Sequence, residues 1–180
     1  MRLETDRLLL REYRAEDLAA IYNYQTHPAY LRYAPWSQRH KKDVQNFLHN
    51  LIEWQNEQPR IKFQLAIELR SNQELLGSCG LRKTRDTAFE AELGYEIDPH
   101  HWGEGYATES VRAILKYGFD DLQLHRVFAS IIADNLGSRR VVEKLGFTYE
   151  GQLRENRRFK DRWWDTCLYG LLKDEWAKAA

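Results

Sequence analysis

The stretch His100–Ser110 reads HHWGEGYATES. Gly103 and Gly105 lie between a strand-like run that ends at Pro99 and a helix-like run that starts near Tyr106. The start of a helix leaves backbone N–H groups without partners and carries partial positive charge, so it attracts anions. Glycines ahead of it let the chain turn sharply and bring bare backbone close to a ligand. Strand, glycine loop and helix together suit a pyrophosphate cradle, although the same spacing also serves as a plain turn. The stretch is not the dinucleotide fingerprint G-x-G-x-x-G, because Thr108 and Glu109 stand where a third glycine is needed, and it lacks the G-K-[ST] of a P-loop.

Working outward, the 180 residues favour one domain with room for a sizeable core. Lysine plus arginine and aspartate plus glutamate number 27 each, a balance that argues against a general nucleic-acid or membrane-surface binder. The charged start MRLETDRLLLREY has no apolar signal-peptide core, and no apolar run approaches the ~20 residues of a membrane span, so a cytoplasmic protein is expected. Cys79 and Cys167 read as two reduced thiols. His27, His40, His49 and His125 show no ligand spacing, and no metal is expected. Arg154–Trp164 mixes basic and aromatic residues, but the interleaved Glu155 and Asp161, with Asp165 beyond, favour a solvated hairpin over RNA contact.

Hydrophobic periodicity places the remaining elements. Arg7–Tyr13 reads as a strand, and Ala15–Tyr24 sets Leu18, Ile21 and Tyr22 on one helical stripe. A second helix is expected over about Ser37–Asn56, where Val44, Phe47, Leu48, Leu51, Ile52 and Trp54 recur at helical spacing. Ile61–Leu69 alternates with period two, a strand with one buried face, and the polar RSNQE turns it into LLGSCGLRK as a hairpin. Ala88–Asp98 alternates again, with Phe89, Ala91, Leu93, Tyr95 and Ile97 on one face and Glu90, Glu92, Glu96 and Asp98 on the other. Beyond the glycine loop come an amphipathic helix over Tyr106–Leu122 and an apolar strand over Arg126–Ala133. A short helix capped by Asp134 or Asn135 and two strands, about Thr148–Arg154 and Trp163–Leu172, close the chain. Residues 1–180 therefore read as one α/β domain around a mixed sheet.

This order of elements resembles the GNAT superfamily of acetyl-CoA-dependent N-acetyltransferases over essentially the whole chain. It is most similar to the branch of the RimJ and RimL ribosomal-protein N-terminal acetyltransferases. The resemblance is carried by DPHHWGEGYATE at 98–109, ADNLGSRRVVEKLGF at 133–147, EGQLRE at 150–155 and DTCLYGLLKDEW at 165–176. It implies an α/β (α+β) GNAT fold, a mixed, mostly antiparallel sheet of about seven strands flanked by about four helices. It also implies acetyl-CoA as co-substrate and an amine as acceptor, with homodimerisation left open. In the family the loop pattern is Arg/Gln-x-x-Gly-x-Gly/Ala and its amides hold the coenzyme pyrophosphate. Gly103 and Gly105 match this pattern, while His100 stands where arginine or glutamine is usual. The coenzyme contacts so implied are Ile97, Asp98, Trp102, Gly103, Glu104, Gly105, Tyr106, Ala107 and Thr108, joined by Asn135 and Ser138.

Acetyl transfer to an amine needs a neutral amine, a polarised carbonyl and a proton for the departing thiolate. Family members commonly use direct attack in a ternary complex, and neither cysteine lies near the motif. Glu92 matches the glutamate that some members use as base through a water; a solvated acidic face is the plainer reading. Glu155, or Arg157 in its place, falls in the last-strand region where related enzymes put an acid. Asn135 and Ser138 follow the family's N-x-x-S pattern, with the serine as candidate proton donor; helix capping by Asn135 is compatible with that role. A strand N–H near Ile97 is the expected oxyanion donor. Arg82, Lys83 and Arg85, or Arg139 and Arg140, are candidates for the 3′-phosphate, against a reading as surface charge. The resemblance implies a protein N-terminus as acceptor, and an α-amine with pKa near 8 needs less deprotonating help than a lysine near 10.4, so a dedicated strong base is not required. A small amine such as a polyamine or aminoglycoside is the alternative, and a non-catalytic CoA-binding module the rival of another class.

Overall fold

The computed structural model describes residues 1–179. Its centre is one sheet of eight strands: β1 (Arg2–Glu4), β2 (Leu8–Arg11), β3 (Lys62–Leu69), β4 (Leu75–Lys83), β5 (Glu90–Ile97), β6 (Arg126–Ile132), β7 (Thr148–Phe159) and β8 (Arg162–Leu172). Their spatial order is β1-β2-β3-β4-β5-β6-β8-β7. Six α-helices accompany them: α1 (Leu18–Gln25), α2 (Pro28–Leu31), α3 (Lys41–Asn56), α4 (Tyr106–Asp120), α5 (Leu136–Lys144) and α6 (Lys173–Ala179). Every strand pair is antiparallel except β5 with β6. That parallel pair spans only Glu90–Arg126, Ala91–Val127 and Glu92–Phe128. Beyond Glu92 the two strands part, while β5 keeps its register with β4 as far as Ile97.

The sheet separates two cores. On one face α4 buries Val111, Ile114, Leu115 and Phe119 against Leu65, Leu81, Leu93 and Val127, and the Phe119 ring stacks on Trp176 of α6. On the other, α1 and α3 bury Ile21, Tyr24, Val44, Leu48 and Leu51 against Tyr13, Ala66 and Leu75. The helical stripes read from the sequence thus face the sheet, which is where burial of their apolar side chains is favourable.

Several expectations are corrected. The strand over Lys62–Leu69 is buried on both faces, not one, because α1 and α3 cover its polar side. Glu68 there meets Arg11 Nε at 2.6 Å, and Arg11 grips both oxygens of Asp17 at 2.9 and 2.8 Å, so the buried charges are paired. Phe89, expected inward, lies outside the strand and is 73% exposed. The helix expected from Ser37 starts at Lys41, where Asp43 accepts from the His40 N–H. Strand β1 and helices α2 and α6 carry too few periodic residues to show in the sequence.

Candidate active site

The opening between β5 and β6 is the central feature. The Asp98 N–H donates to Leu76 of β4 at 2.7 Å. Backbone direction alternates along a strand, so Tyr95 and Ile97 turn their N–H and C=O groups the other way, into the gap left by β6. The Ile97 carbonyl accepts from Trp102 Nε1 at 2.7 Å. The N–H groups of Tyr95 and Ile97 remain as donors to whatever lies in the gap. Across it, Tyr95 Oη donates to the Ser138 carbonyl of α5 at 2.7 Å, tying the two walls together. Burial raises the Tyr95 phenol well above its ordinary pKa, so it stays neutral.

The glycine loop lies at the end of β5. Asp98 accepts from the His100 N–H at 2.9 Å and from its ring nitrogen at 2.8 Å, capping a short 3₁₀ turn over Pro99–His101. Gly103 and Gly105 have φ of +85° and +86°, conformations that side-chain-bearing residues adopt only at a cost. Gly105 is the N-cap of α4, whose first intrahelical bond runs from the Glu109 N–H to the Gly105 carbonyl at 3.0 Å. The N–H groups of Tyr106, Ala107 and Thr108 therefore start the helix without intrahelical partners. Trp102, Gly103, Glu104 and Gly105 are exposed, and nothing lies within 4 Å of a Cβ built on Gly103. Bare amides, open space and a helix dipole of the right sign fit a diphosphate, and the unpaired edge of β5 fits an extended amide-bearing arm such as pantetheine.

What anchors this loop leaves no local pattern in the sequence. Glu109, on the inward side of α4's first turn, accepts from Thr5 Oγ1 at 2.6 Å, from the Arg7 N–H at 3.0 Å and from Arg7 Nε at 2.7 Å. Arg7 also reaches the Glu104 carbonyl at 3.1 Å, with its guanidinium 4.4 Å above the Tyr106 ring. Partial burial alone would raise the Glu109 carboxyl; the donors from Thr5 and Arg7 overcome it and hold the group below the ordinary range. Residues about a hundred positions apart make this clamp, and no local pattern encodes it.

On α5, Asn135 is the N-cap, and its Oδ1 accepts from the Ser138 N–H at 3.2 Å. The capping role is thus present, and it aligns Ser138 at the rim of the gap beside Tyr95. Above the gap, Tyr33 Oη donates to the Asp134 carbonyl at 3.0 Å and Lys160 Nζ to the Leu31 carbonyl at 2.5 Å. The α2 segment and the β7–β8 hairpin thereby close over one side.

The acids of β5 lie on the opposite face, towards α1 and α3, and they are not a solvated row. Glu96 takes Tyr24 Oη at 2.7 Å and Gln25 Nε2 at 3.1 Å on one oxygen and Tyr30 Oη at 2.5 Å on the other. Burial, and then the charge of Glu96, raise the Tyr24 and Tyr30 phenols. Glu92 is 38% exposed and faces Arg82 Nη2 at 4.0 Å, beyond hydrogen-bond reach. Arg82 is on this face too, opposite Glu92 in the register and five residues along from the Ile97 end, so it does not adjoin the glycine loop. Arg139 is committed to Tyr169 Oη at 3.0 Å and the Ala133 carbonyl at 3.3 Å. Glu155 sits in a β7 irregularity with its N–H bound to Asp165, on the strand farthest from β5 on that side. Burial pushes the Cys79 thiol up to about 12, which leaves it unreactive as a nucleophile. No cluster among the described residues has the three His, Cys, Asp or Glu groups a metal site needs, and no helix is long and apolar enough to cross a membrane.

Residues 7–148 match the family model for the acetyltransferase (GNAT) domain. The uncharacterized N-acetyltransferase p20 of Bacillus licheniformis is 31% identical, with 97% of this chain and 98% of the relative covered. The crystal structure of a GNAT-family acetyltransferase from Bacillus anthracis superposes with a TM-score of 0.86 at 28% identity, covering 97% of this chain and all of the other. Two further solved structures share the fold at 22% identity. The ribosomal-protein-S5-alanine acetyltransferase of Vibrio fischeri has a TM-score of 0.80, with 98% of each chain covered. The spermidine N-acetyltransferase of Vibrio cholerae, in complex with CoA and spermine, has a TM-score of 0.81, with 96% of this chain and 99% of the other covered. The chain belongs to the GNAT acetyltransferase family and is an acetyl-transferring enzyme.

Proposed function

From that membership we propose that the enzyme moves the acetyl group of acetyl-CoA to the α-amine of a protein N-terminus, by direct attack in a ternary complex. The observation that carries this reading is the parting of β5 from β6 beyond Glu92. It lies between the glycine loop at the end of β5 and the hollow bordered by Arg82 and Glu96. Acetyl-CoA supplies the activated thioester. Gly103, Gly105 and the first turn of α4, Tyr106–Thr108, receive its diphosphate; Ile97, Asp98, Trp102 and Glu104 shape the approach. The N–H of Ile97 is aimed at the thioester carbonyl, where negative charge develops as the amine nitrogen bonds to carbon, and that of Tyr95, about 6.6 Å away along the strand, is left for the pantetheine arm. Glu92, with no hydrogen-bond donor on its carboxylate among the described residues, takes the proton from the ammonium through water. Glu96 spends both oxygens on Tyr24, Gln25 and Tyr30, so it orients the wall instead. As the C–S bond breaks, the Ser138 hydroxyl, set in place by Asn135, returns a proton to the thiolate.

A polyamine acceptor would draw on the same acids, but Glu96 is already saturated and Glu92 shares its surroundings with a cationic Arg82. Free CoA release with a panel of amines tests the proposal. A peptide with a free N-terminus is expected to turn over, its N-acetylated twin is not, and spermidine is expected to be poorer. Turnover of spermidine without turnover of any peptide overturns the acceptor assignment, and no release with any amine overturns the catalytic one.

A further inference from the structure

On the α3 side of the sheet, Gly80 of β4 and Gly94 of β5 face each other in register. Two opposed glycines leave a patch of sheet without side chains, and neighbouring residues fill its rim. A Cβ on Gly80 would stand 2.7 Å from Gln64 Oε1, and one on Gly94 would collide with Arg82 Nη2. Above this floor is a cavity of about 200 Å³, roofed by Phe47, Leu51 and Trp54 of α3 and bordered by Gln64, Arg82 and Glu96.

Two polar atoms at this hollow are buried without a partner, Arg82 Nε and Gln64 Oε1. Gln64 is 8% exposed, and its other amide atom is used, with Nε2 donating to Ser78 Oγ at 2.6 Å. An unmet buried donor and an unmet buried acceptor are each destabilising, so a pair on one rim is not a neutral feature. The other charges around it are accounted for: Glu96 by its three donors, and Lys62 by Glu57 at 3.4 Å and the Trp54 ring at 4.4 Å.

We propose that this hollow is an amide-recognition subsite for the acceptor. Arg82 Nε donates to the carbonyl oxygen, and Gln64 Oε1 accepts from the N–H, of the peptide unit that follows the reacting amine. This rests on the reading of the chain as an α-amine acetyltransferase. One donor and one acceptor match an amide, which has one of each. A free carboxylate offers only acceptors and would set its charge against the lone pairs of Gln64. A polyamine offers only charged donors and would face the Arg82 guanidinium. An α-amino amide has its amine two bonds from the carbonyl carbon, short enough to sit beside Glu92 while the amide reaches the rim formed by Arg82 and Gln64. The acceptor class is therefore α-amino amides, which includes peptide N-termini.

The test compares alanine amide, alanine N,N-dimethylamide, alanine and isopropylamine as acceptors, with CoA release as readout, in the wild-type enzyme, Gln64→Met and Gly94→Ala. Alanine amide is expected to exceed the dimethylamide, which lacks the N–H, by about tenfold in kcat/KM and isopropylamine by more. In Gln64→Met the ratio of amide to dimethylamide should collapse towards one through the acceptor KM, with the acetyl-CoA KM unchanged. Gly94→Ala, which displaces only the flexible end of Arg82, should lower the amide-to-isopropylamine ratio if Gln64→Met fails to fold. Transfer to amines with no amide preference overturns the subsite and leaves the acetyltransferase standing. If no amine turns over, binding of the product N-acetylalanine methylamide to the wild-type enzyme with CoA decides the subsite. Binding that Gly94→Ala weakens supports it, and no binding overturns it.

Discussion

In the proposed reading the two faces of β5 do different work by different means. On the coenzyme side the functional groups are backbone: two glycines in left-handed conformation, the start of a helix, and amides uncovered where β6 turns away. On the acceptor side they are side chains, brought from α1, α2, β3, β4 and β5 to meet over a glycine floor. A coenzyme is constant, so a cradle of backbone, which only insertion of a Cβ can spoil, suits it. An acceptor varies between related enzymes, and side chains can be exchanged without rebuilding the sheet. The shared fold of the S5-alanine and spermidine enzymes, at 22% identity to this chain, accords with that division.

Breaking the chemistry at the meeting point of the two sides should have the largest effect. Ser138→Ala is expected to lower kcat on the order of 10² to 10⁴ with acetyl-CoA affinity nearly intact, because protonating the thiolate helps only as the bond breaks. Steady-state kinetics with direct coenzyme titration would read this, and a loss below tenfold removes the serine from that role.

The acceptor face depends on its buried charges. Asp17→Ala leaves Arg11 with Glu68 alone in a site where the Arg11 and Asp17 side chains are 9% and 6% exposed. Losing one member of a buried pair costs about 3–5 kcal/mol. Urea denaturation should show this loss, and a change under 1 kcal/mol would mean that water enters the site.

The coenzyme face is sharpened by Gly105→Val. Its Cβ has room, the nearest side-chain atom being Arg7 Nη2 at 3.5 Å, so the penalty is conformational. A φ of +86° costs a branched side chain roughly 1–2 kcal/mol, or more where the loop shifts. CoA affinity should fall about tenfold as the loop shifts, and the strain itself should lower the melting temperature by roughly 2–8 °C; unchanged affinity would reduce the loop to a turn.

Glu92→Gln should impair turnover mainly at low pH. The acceptor's α-amine deprotonates unaided as pH approaches about 8, so the defect should shrink between pH 6 and pH 9. A flat defect removes Glu92 as base.

The smallest effect concerns His101 in the loop. Burial opposes its charge, but Glu74 at 3.2 Å and Glu104 at 3.4 Å prevail and raise its pKa. A raised pKa in the folded state stabilises fully below the unfolded value of about 6.5 and is lost as pH climbs through the folded one. Hydrogen exchange of loop amides should therefore show more protection at pH 6 than at pH 8 after correction for intrinsic rates, and His101→Gln should abolish the difference.

The legibility of the molecule follows the same division. The glycine turn into α4 could be read because glycines, a helix start and the preceding strand are neighbours in the chain, and each acts through its own backbone. The N-x-x-S start of α5 was legible for the same reason, down to Asn135 as cap. The acids of β5 were legible as a face but not as an environment. Alternation places Glu92 and Glu96 together, yet only packing decides that Tyr24, Gln25 and Tyr30 occupy one and Arg82 confronts the other. The polar side of β3 was misread because a strand's pattern shows which side chains share a face, not whether helices cover that face.

The sequence by itself determined the period of the longer elements, the turn of the glycine loop and the family, since these depend on residues within a few positions or on blocks in a set order. Tertiary structure alone decided the Thr5–Arg7–Glu109 clamp, the point where β5 leaves β6, and the pairing of Gly80 with Gly94 beneath Gln64 and Arg82. Each of these joins groups separated by at least twelve positions, and the side-chain types involved have many other satisfactory partners. Hydrogen bonding and charge say that such groups must be met. Which of them meet is set by strand register and helix packing, once the chain has closed on itself.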